Sequence, residues 1–235
     1  MKKITLILLM FMSICSVYGQ AGFSLSIKGG AGISNLFNLK FFQEKDIMVL
    51  PAIGYSLGAE MGWNAEFFNF GITGGAYIRQ YGHAMDNIGT GQLPEIHNYY
   101  KLNALELPLL IRFRPRGNSM TKTITMGGPY FEMGLQAVLI QNAEQKISGA
   151  GIEDLTLPID DLFESMTGGL VIGFGDHQIG LEKFALTHGL RIHFNIFDIT
   201  AKELRDNDYN GTISYSGTSP VCIQYLMAIT LKFPS

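Results

Sequence analysis

Histidines are the residues best suited to acid–base or metal chemistry in this chain. His83 lies three residues before Asp86, and such a pair could support hydrolysis, although loop polarity explains both residues equally well. We expect the histidines mainly in or beside loops, and their spacings match no zinc site. We therefore predict no catalytic residue, no metal site and no cofactor. The five are His83, His97, His177, His188 and His193.

Glycine clusters and a single cysteine offer two further candidates for chemistry. None of the glycine clusters opens a predicted helix, which a phosphate-binding loop requires. We expect these glycines to make room for neighbouring aromatic rings and for strand curvature. Cys222 is the one cysteine outside the first 19 residues, so we predict no intramolecular disulfide and no thiolate metal cluster. The clusters are Gly29, Gly30 and Gly32, then Gly74 and Gly75, then Gly168 and Gly169.

The segments between these candidates alternate between apolar and polar residues, which predicts β-strands with one apolar face. The pattern is clearest at the end of the chain. There Val221, Ile223, Tyr225, Met227, Ile229, Leu231 and Phe233 alternate with Cys222, Gln224, Leu226, Ala228, Thr230 and Lys232. A period of two held this long is typical of a strand between lipid and a polar interior.

The same pattern predicts eight antiparallel strands in all. We place them at about residues 23–34, 53–64, 68–80, 99–114, 123–141, 165–175, 179–190 and 221–233. The pattern of the fourth strand changes phase near Asn103, so we expect a β-bulge there, with Tyr100 and Leu102 on the apolar face. The faces of the seventh strand are ambiguous. A short turn at Asp176, His177 and Gln178 is expected to precede it.

The connections between the predicted strands are alternately short and long. Those after the first, third, fifth and seventh strands are about 16, 18, 24 and 29 residues long, and the others are short. An even-stranded membrane barrel has short periplasmic turns and long outer loops. The sequence therefore predicts an all-β, eight-stranded, antiparallel up-and-down transmembrane β-barrel.

Charged and amide side chains fall on the predicted inner face of this barrel. Eight strands enclose a space that their own side chains fill, so we expect opposite charges to pair there in a structural network. A proton or ion path is the alternative. The predicted inner residues are Lys28, Glu60, Arg79, Glu106, Arg112, Glu132, Gln136, Gln224 and Lys232.

The beginning of the chain has the features of a secretory signal peptide. Lys2 and Lys3 precede an apolar run over residues 4–14 that is too short to span a membrane as a helix. We predict cleavage after Gly19, which assigns residues 1–19 to the signal and 20–235 to one barrel domain. A lipoprotein signal acylated at Cys15 is the alternative, and the bulky Ile14 before it argues against this reading.

Composition agrees with a barrel and excludes some partners. The chain holds 28 Gly, 16 Phe and 10 Tyr, 47% of its residues are hydrophobic, and its mean hydropathy is +0.18. Later apolar runs are broken by charges or glycines, so membrane insertion would require a closed barrel. A net charge of −3 without any basic run argues against a nucleic-acid partner.

Short motifs resemble the PorT-like family of outer-membrane β-barrel proteins from the Bacteroidetes. The signal ending in Tyr18 and Gly19, followed by Gln20, is similar to the exports of that phylum. Residues 105–110, Leu-Glu-Leu-Pro-Leu-Leu, resemble the family's aliphatic-Glu-aliphatic-Pro-Leu-Leu strand. Gly189 and Leu190, then Asn195 and Ile196, resemble its glycine-leucine and asparagine-isoleucine strand end, although four residues separate the two pairs here.

The resemblance implies a non-enzymatic barrel of the outer membrane, with some members needed for type IX secretion and gliding. An accessory role in secretion or envelope assembly is the leading hypothesis. A small pore, adhesin or surface-binding barrel is the alternative, and a membrane-embedded hydrolase is third. The expected partners are outer-membrane lipid and secretion or envelope-assembly proteins.

Overall fold

A computed structural model describes most of the chain. The described residues are 21–37, 47–65, 70–87, 96–113, 125–126, 129–149, 151–180, 184–200 and 218–233. The predicted signal peptide, its cleavage site and Cys15 lie outside them, as do Phe68 and Arg114 of the predicted strands.

The described strands close into one antiparallel ring, which confirms the predicted eight-stranded up-and-down barrel. Each strand pairs with its neighbours in the chain order of the ring, and the last strand pairs with the first. Two short strands add to this ring. The strands are β1 (Ala21–Phe37), β2 (Ile47–Ala65), β3 (Phe70–Asn87), β4 (Ile96–Phe113), β5 (Thr125–Met126), β6 (Pro129–Gly149), β7 (Ile152–Pro158), β8 (Met166–Gly180), β9 (Phe184–Asn195) and β10 (Ser219–Phe233).

The register of the strands gives the barrel its tilt. Following directly paired residues once around the ring from Phe23 of β1 returns to Ile33 of the same strand, a displacement of ten residues. For eight strands this shear corresponds to a tilt of about 40° and about 2.5 Å of height per residue. The intermediate residues are Trp63, Ile72, Ile111, Met133, Ile172, Ile192 and Ile223.

The two ends of the barrel differ. At the lower end, where β1 begins and β10 ends, β5 pairs with the last residues of β8. At the upper end, β2, β3, β4 and β6 continue beyond the other strands, and β7 pairs with the upper part of β6. We call this extension the upper wall. β6 passes its last pair with β8, at Leu139, by ten residues, which is roughly 25 Å of height.

Side chains alternate between the interior and the outer surface along every barrel strand, as the period of two predicts. On β10, Gln224 and Ala228 are buried, whereas Met227 and Ile229 are exposed, so the predicted faces of this strand are confirmed. The ambiguous strand is also resolved. Phe184 and Leu186 of β9 point outward, because the residues between and after them are buried.

Several predicted boundaries are wrong. β8 continues through Asp176, His177 and Gln178 to Gly180, so the expected turn at those three residues is strand. β2 begins at Ile47 and β3 ends at Asn87, which leaves only residues 38–46 and 88–95 where long connections were expected. The interval 114–124, between β4 and β5, is longer than both. The strict alternation of short and long connections therefore fails, because the upper wall uses residues assigned to loops.

The irregularity near Asn103 exists, but its bulge lies on the neighbouring strand. Asn103 pairs with Asn142 and Ala104 with Ile140, which leaves Gln141 of β6 as the extra residue. β4 itself keeps one phase, so Leu102 points into the barrel and is fully buried. The predicted outward position of Leu102 is wrong because the upper interior is apolar rather than polar.

Most of the clustered glycines lie against the backbone of a neighbouring strand rather than against an aromatic ring. A Cβ on Gly30 would lie 2.0 Å from the carbonyl oxygen of Tyr225, and one on Gly169 would lie 2.2 Å from that of Phe194. Aromatic rings do fill space beside some other glycines. The ring of Tyr77, for example, packs against Gly58. These glycines thus permit the close approach of strands that the strong coiling of the barrel requires.

Candidate functional site

A cluster of five buried ionic side chains fills the lower half of the interior. We call it the lower cluster, and it contains three cations and two carboxylates. Lys28 Nζ lies 2.6 Å from Glu60 Oε1, and Arg112 Nη2 lies 3.0 Å from the same oxygen. Arg112 Nη2 also donates to Glu132 Oε2 at 2.6 Å. The fifth member is Arg191.

Arg191 joins both carboxylates of the lower cluster. Its Nη2 donates to Glu60 Oε2 at 2.7 Å and its Nε donates to Glu132 Oε1 at 2.5 Å. Its third contact is Nη1 to the hydroxyl of Tyr77 at 3.2 Å, and that hydroxyl donates to Glu60 at 2.6 Å. A guanidinium group suits this position, because it presents several donors in a rigid plane.

A second network, the upper cluster, lies above the first and centres on Arg79. The Nε of Arg79 lies 3.0 Å from Glu106 Oε2, and its Nη2 donates to Gln224 Oε1 at 2.7 Å. Tyr81 donates a hydrogen bond to Glu106. His193 connects Arg79 to β6, because its Nε2 lies 2.9 Å from Arg79 Nη2 and its Nδ1 lies 2.8 Å from Oε1 of Gln136 on β6.

An apolar layer above the upper cluster closes the interior. Ile159 and Ile199, from the connections after β7 and β9, lie over it as a cap. The cap is held by backbone hydrogen bonds, including Ile159 N to Ala143 O at 2.9 Å and Glu164 N to Ile199 O at 2.7 Å. The layer consists of Leu36, Tyr81, Leu102, Ala104, Val138, Ala143 and Cys222.

The structure brings together eight of the nine residues predicted for the interior. Lys28, Glu60, Arg112 and Glu132 lie in the lower cluster, and Arg79, Glu106, Gln136 and Gln224 lie in the upper one. The ninth, Lys232, is half-buried near the lower end of β10, opposite Ser24. Glu106 and Arg112 therefore belong to different clusters.

Sequence reasoning missed Arg191, His193 and Asn195, three buried residues on the inner face of β9. The predicted seventh strand ended at Leu190, so these residues fell outside it. The sequence does contain this information, because the alternation of inward and outward positions continues beyond Leu190. The inward positions are Gly189, Arg191, His193 and Asn195. Gln136 donates a hydrogen bond to Asn195 at 3.0 Å.

The histidines lie within strands and not in loops, contrary to expectation. His83 is buried above the barrel's midsection, with its Nδ1 2.6 Å from Asn35 Oδ1. Asp86 contacts a different histidine, because its Oδ1 lies 2.7 Å from His97 Nδ1. Across the described ranges, no group of three or more His, Cys, Asp or Glu residues could hold a metal ion.

The outer surface of the barrel carries a continuous apolar belt on all eight strands. Outward positions within residues 23–33, 53–63, 70–78, 105–113, 131–139, 166–176, 184–194 and 221–233 are apolar, aromatic or glycine, and the two exceptions are Asp176 and His188. Ile53 is 74% exposed and Leu135 63%. In the described part of the chain, no helix is long and apolar enough to cross a membrane.

An aromatic residue marks the lower edge of the belt on every barrel strand. Trp63 and Phe70 meet edge to face with ring centroids 6.3 Å apart, and Phe70 pairs with Phe113, which in turn pairs with Phe131. We call this set the lower aromatic row. It comprises Phe23, Trp63, Phe70, Phe113, Phe131, Phe174, Phe184 and Phe233.

Comparison with known proteins gives structural likenesses only. No protein-family model matches the chain, and no curated protein matches it. The fold is similar to that of outer membrane protein OprG from Pseudomonas aeruginosa, with a TM-score of 0.45 and 16% identity over 92% of this chain and 98% of that one.

Two further solved structures are similar over comparable lengths. Neisserial surface protein A has a TM-score of 0.43 and 12% identity over 91% of this chain and 99% of its own. Ail, the attachment invasion locus protein of Yersinia pestis, has a TM-score of 0.39 and 12% identity over 91% and 99%. All these scores are below 0.5, so the likenesses carry no activity, ligand or partner to this chain.

Proposed function

We propose that the chain is a non-enzymatic, integral outer-membrane barrel that serves as an accessory of type IX secretion or envelope assembly. The apolar belt is the observation that carries the membrane location. Exposing so large a continuous apolar surface to water is unfavourable for a monomeric protein, whereas contact of the same surface with lipid is favourable. A closed ring also leaves no unpaired strand edge within the belt, as the hydrocarbon layer requires.

The dimensions of the belt match a bilayer. On β10 the outward face from Ile223 to Phe233 spans eleven residues, or about 25 Å of height at the tilt of this barrel. The lower aromatic row lies where such barrels carry an interfacial girdle. We place the lower end in the periplasm and the upper wall outside the cell. Export through a signal peptide cleaved after Gly19 belongs to the same proposal.

The filled interior favours a role that does not use the lumen as a channel. Arg79, Arg112 and Arg191 are each at most 6% exposed and are held by carboxylates from several strands. Moving them aside would break buried ion pairs, which is costly. The protein must therefore act through surfaces outside the lumen. The PorT-like resemblance favours an accessory of secretion or envelope assembly.

The upper wall supports a second candidate, a surface-binding barrel. Its inner face carries apolar side chains that the cap does not cover, including Leu155, 48% exposed, and Leu157, 37% exposed. β7 pairs only with β6 within the described strands, so its other edge can accept a hydrogen-bonded strand. This edge is short and ends at Pro158, which limits pairing between identical copies.

Isolation from native membranes tests the proposal. We expect the tagged full chain in the outer-membrane fraction and, for an accessory role, a stable complex with other envelope proteins in a mild-detergent pull-down analysed by mass spectrometry. A variant with Leu155→Asp and Leu157→Asp should lose partners that the upper wall binds and keep those bound elsewhere. Recovery in a soluble fraction would contradict the membrane location. Large, steady currents in planar bilayers would contradict the closed interior.

A further inference from the structure

Asp176 and His188 are the two ionisable residues on the outward face of the belt, and they lie directly opposite each other on β8 and β9. Every other outward position of the belt in the described strands is apolar, aromatic or glycine. Ionisable groups on a lipid-facing surface are costly, and placing two of them on neighbouring strands at one level creates a local polar site.

The two side chains do not neutralise each other. The Asp176 side chain is half-buried, and its carboxylate forms no hydrogen bond or ion pair with His188 or any other of the described residues. The His188 ring instead lies beside Tyr225, with centroids 5.9 Å apart and planes inclined by 43°. The Oδ1 atom is enclosed by the chain, so a cation or donor from outside would meet the other oxygen of this unpaired carboxylate.

The height of the pair places it at the membrane interface. Asp176 follows Phe174 by two residues, so it lies about 5 Å nearer the lower end. His188 lies four residues above Phe184, about 10 Å along the barrel axis. Phe174 and Phe184 both belong to the lower aromatic row, so the pair lies between two members of that row, within the band of height where lipid headgroups meet the acyl chains.

We infer that Asp176 and His188 bind the zwitterionic headgroup of an inner-leaflet phospholipid with a primary ammonium group. Asp176 accepts hydrogen bonds from the ammonium group, and His188 donates one to the phosphate. The exposed ring of Phe174, two residues above Asp176 on the same face of β8, provides apolar surface for the acyl chains. The inference depends on the proposed membrane location and orientation, which place this end of the barrel in the inner leaflet.

Native mass spectrometry of the full mature chain, released from detergent, tests this site. Short-chain phosphatidylethanolamine is the probe, compared with phosphatidylcholine and phosphatidylglycerol. We expect one retained phosphatidylethanolamine on the wild type and about tenfold weaker retention on Asp176→Asn, the effect of losing one hydrogen bond to a charged group. His188→Gln should weaken retention as well, and phosphatidylglycerol should bind without dependence on residue 176.

Asp86 and His97 form a matched control, because they are also a directly opposed acid–histidine pair, but they lie in the upper wall and contact each other at 2.7 Å. Asp86→Asn with His97→Gln should retain the lipid as the wild type does. Equal retention by the wild type and Asp176→Asn would overturn the inference, as would equal binding of all three lipids. A heat-dependent gel shift in vesicles reports insertion separately. A chain that fails to insert would overturn the proposed function before any lipid comparison.

Discussion

Replacing Arg191 by leucine should destabilise the barrel, because Arg191 joins both carboxylates of the lower cluster. The change removes hydrogen bonds to Glu60 and Glu132, at 2.7 and 2.5 Å, and a longer one to Tyr77. Each bond to a charged partner contributes about 1.5–3 kcal/mol, and breaking a buried pair by deleting one member costs about 3–5 kcal/mol.

The remaining cations reduce this cost. Lys28 still contacts Glu60, and Arg112 still contacts both carboxylates, so the cluster changes from three cations against two carboxylates to two against two. We therefore expect a loss near the lower end of that range, about 3 kcal/mol. Combined with Glu132→Gln, the loss should be smaller than the sum of the single changes, because the two residues share one interaction.

Urea titration of the vesicle-inserted protein measures these losses. Trp63 is the single tryptophan and lies in the lower aromatic row, so its fluorescence reports insertion and unfolding. Lys146→Ala is the control, because Lys146 and Asp154 form an exposed pair at 3.2 Å and its loss should cost at most about 1 kcal/mol. A loss below about 1 kcal/mol for Arg191→Leu would refute the conclusion that Arg191 holds both carboxylates of the lower cluster.

Three further predictions concern the belt, barrel closure and the cap. Met227→Arg, on the belt, should cost about 2–4 kcal/mol and weaken the heat-dependent gel shift more than Thr230→Arg, which points inward beside Ser26. Equal effects would contradict the faces of β10. Gly30→Ala should prevent pairing of β1 with β10, because its Cβ would lie 2.0 Å from Tyr225 O, whereas Gly29→Ala, with its nearest neighbour at 3.4 Å, should fold. Cys222, 3% exposed beneath the cap, should resist an aqueous maleimide in the folded protein. Ile199→Asp should admit the reagent and Leu162→Asp, on the exposed side, should not.

The period of two in the sequence suffices to predict the strands and their faces, because lipid and a polar interior impose opposite demands on alternate residues. It fails where the interior stops being polar. Leu102 lies in the apolar layer, so its hydropathy indicated the wrong face. Glu182 and Lys183 obscured the pattern at the start of β9, and ending that strand early removed Arg191 from the predicted interior.

The partners within the interior could not be predicted from the sequence. They depend on the shear of the closed ring, which brings Lys28 of β1 to Glu60 of β2 and Arg191 of β9 to the same carboxylate from across the lumen. Strand pairing alone does not relate residues that face each other across a barrel. The sequence pattern did not reveal the upper wall for another reason. The strand segments that form it lie beyond the apolar belt, so they lack the alternation of apolar and polar residues that lipid contact imposes.

Labelling of single cysteines along residues 221–233 tests most directly whether the belt faces lipid. Each cysteine is introduced with Cys222→Ser, in the full chain folded into vesicles, and is treated with a lipid-soluble thiol reagent. We expect reaction at Ile223, Tyr225, Met227, Ile229 and Leu231, and protection at the even positions between them. Reaction at the even positions, or equal reaction at both sets, would contradict the orientation of β10 and the membrane location that depends on it.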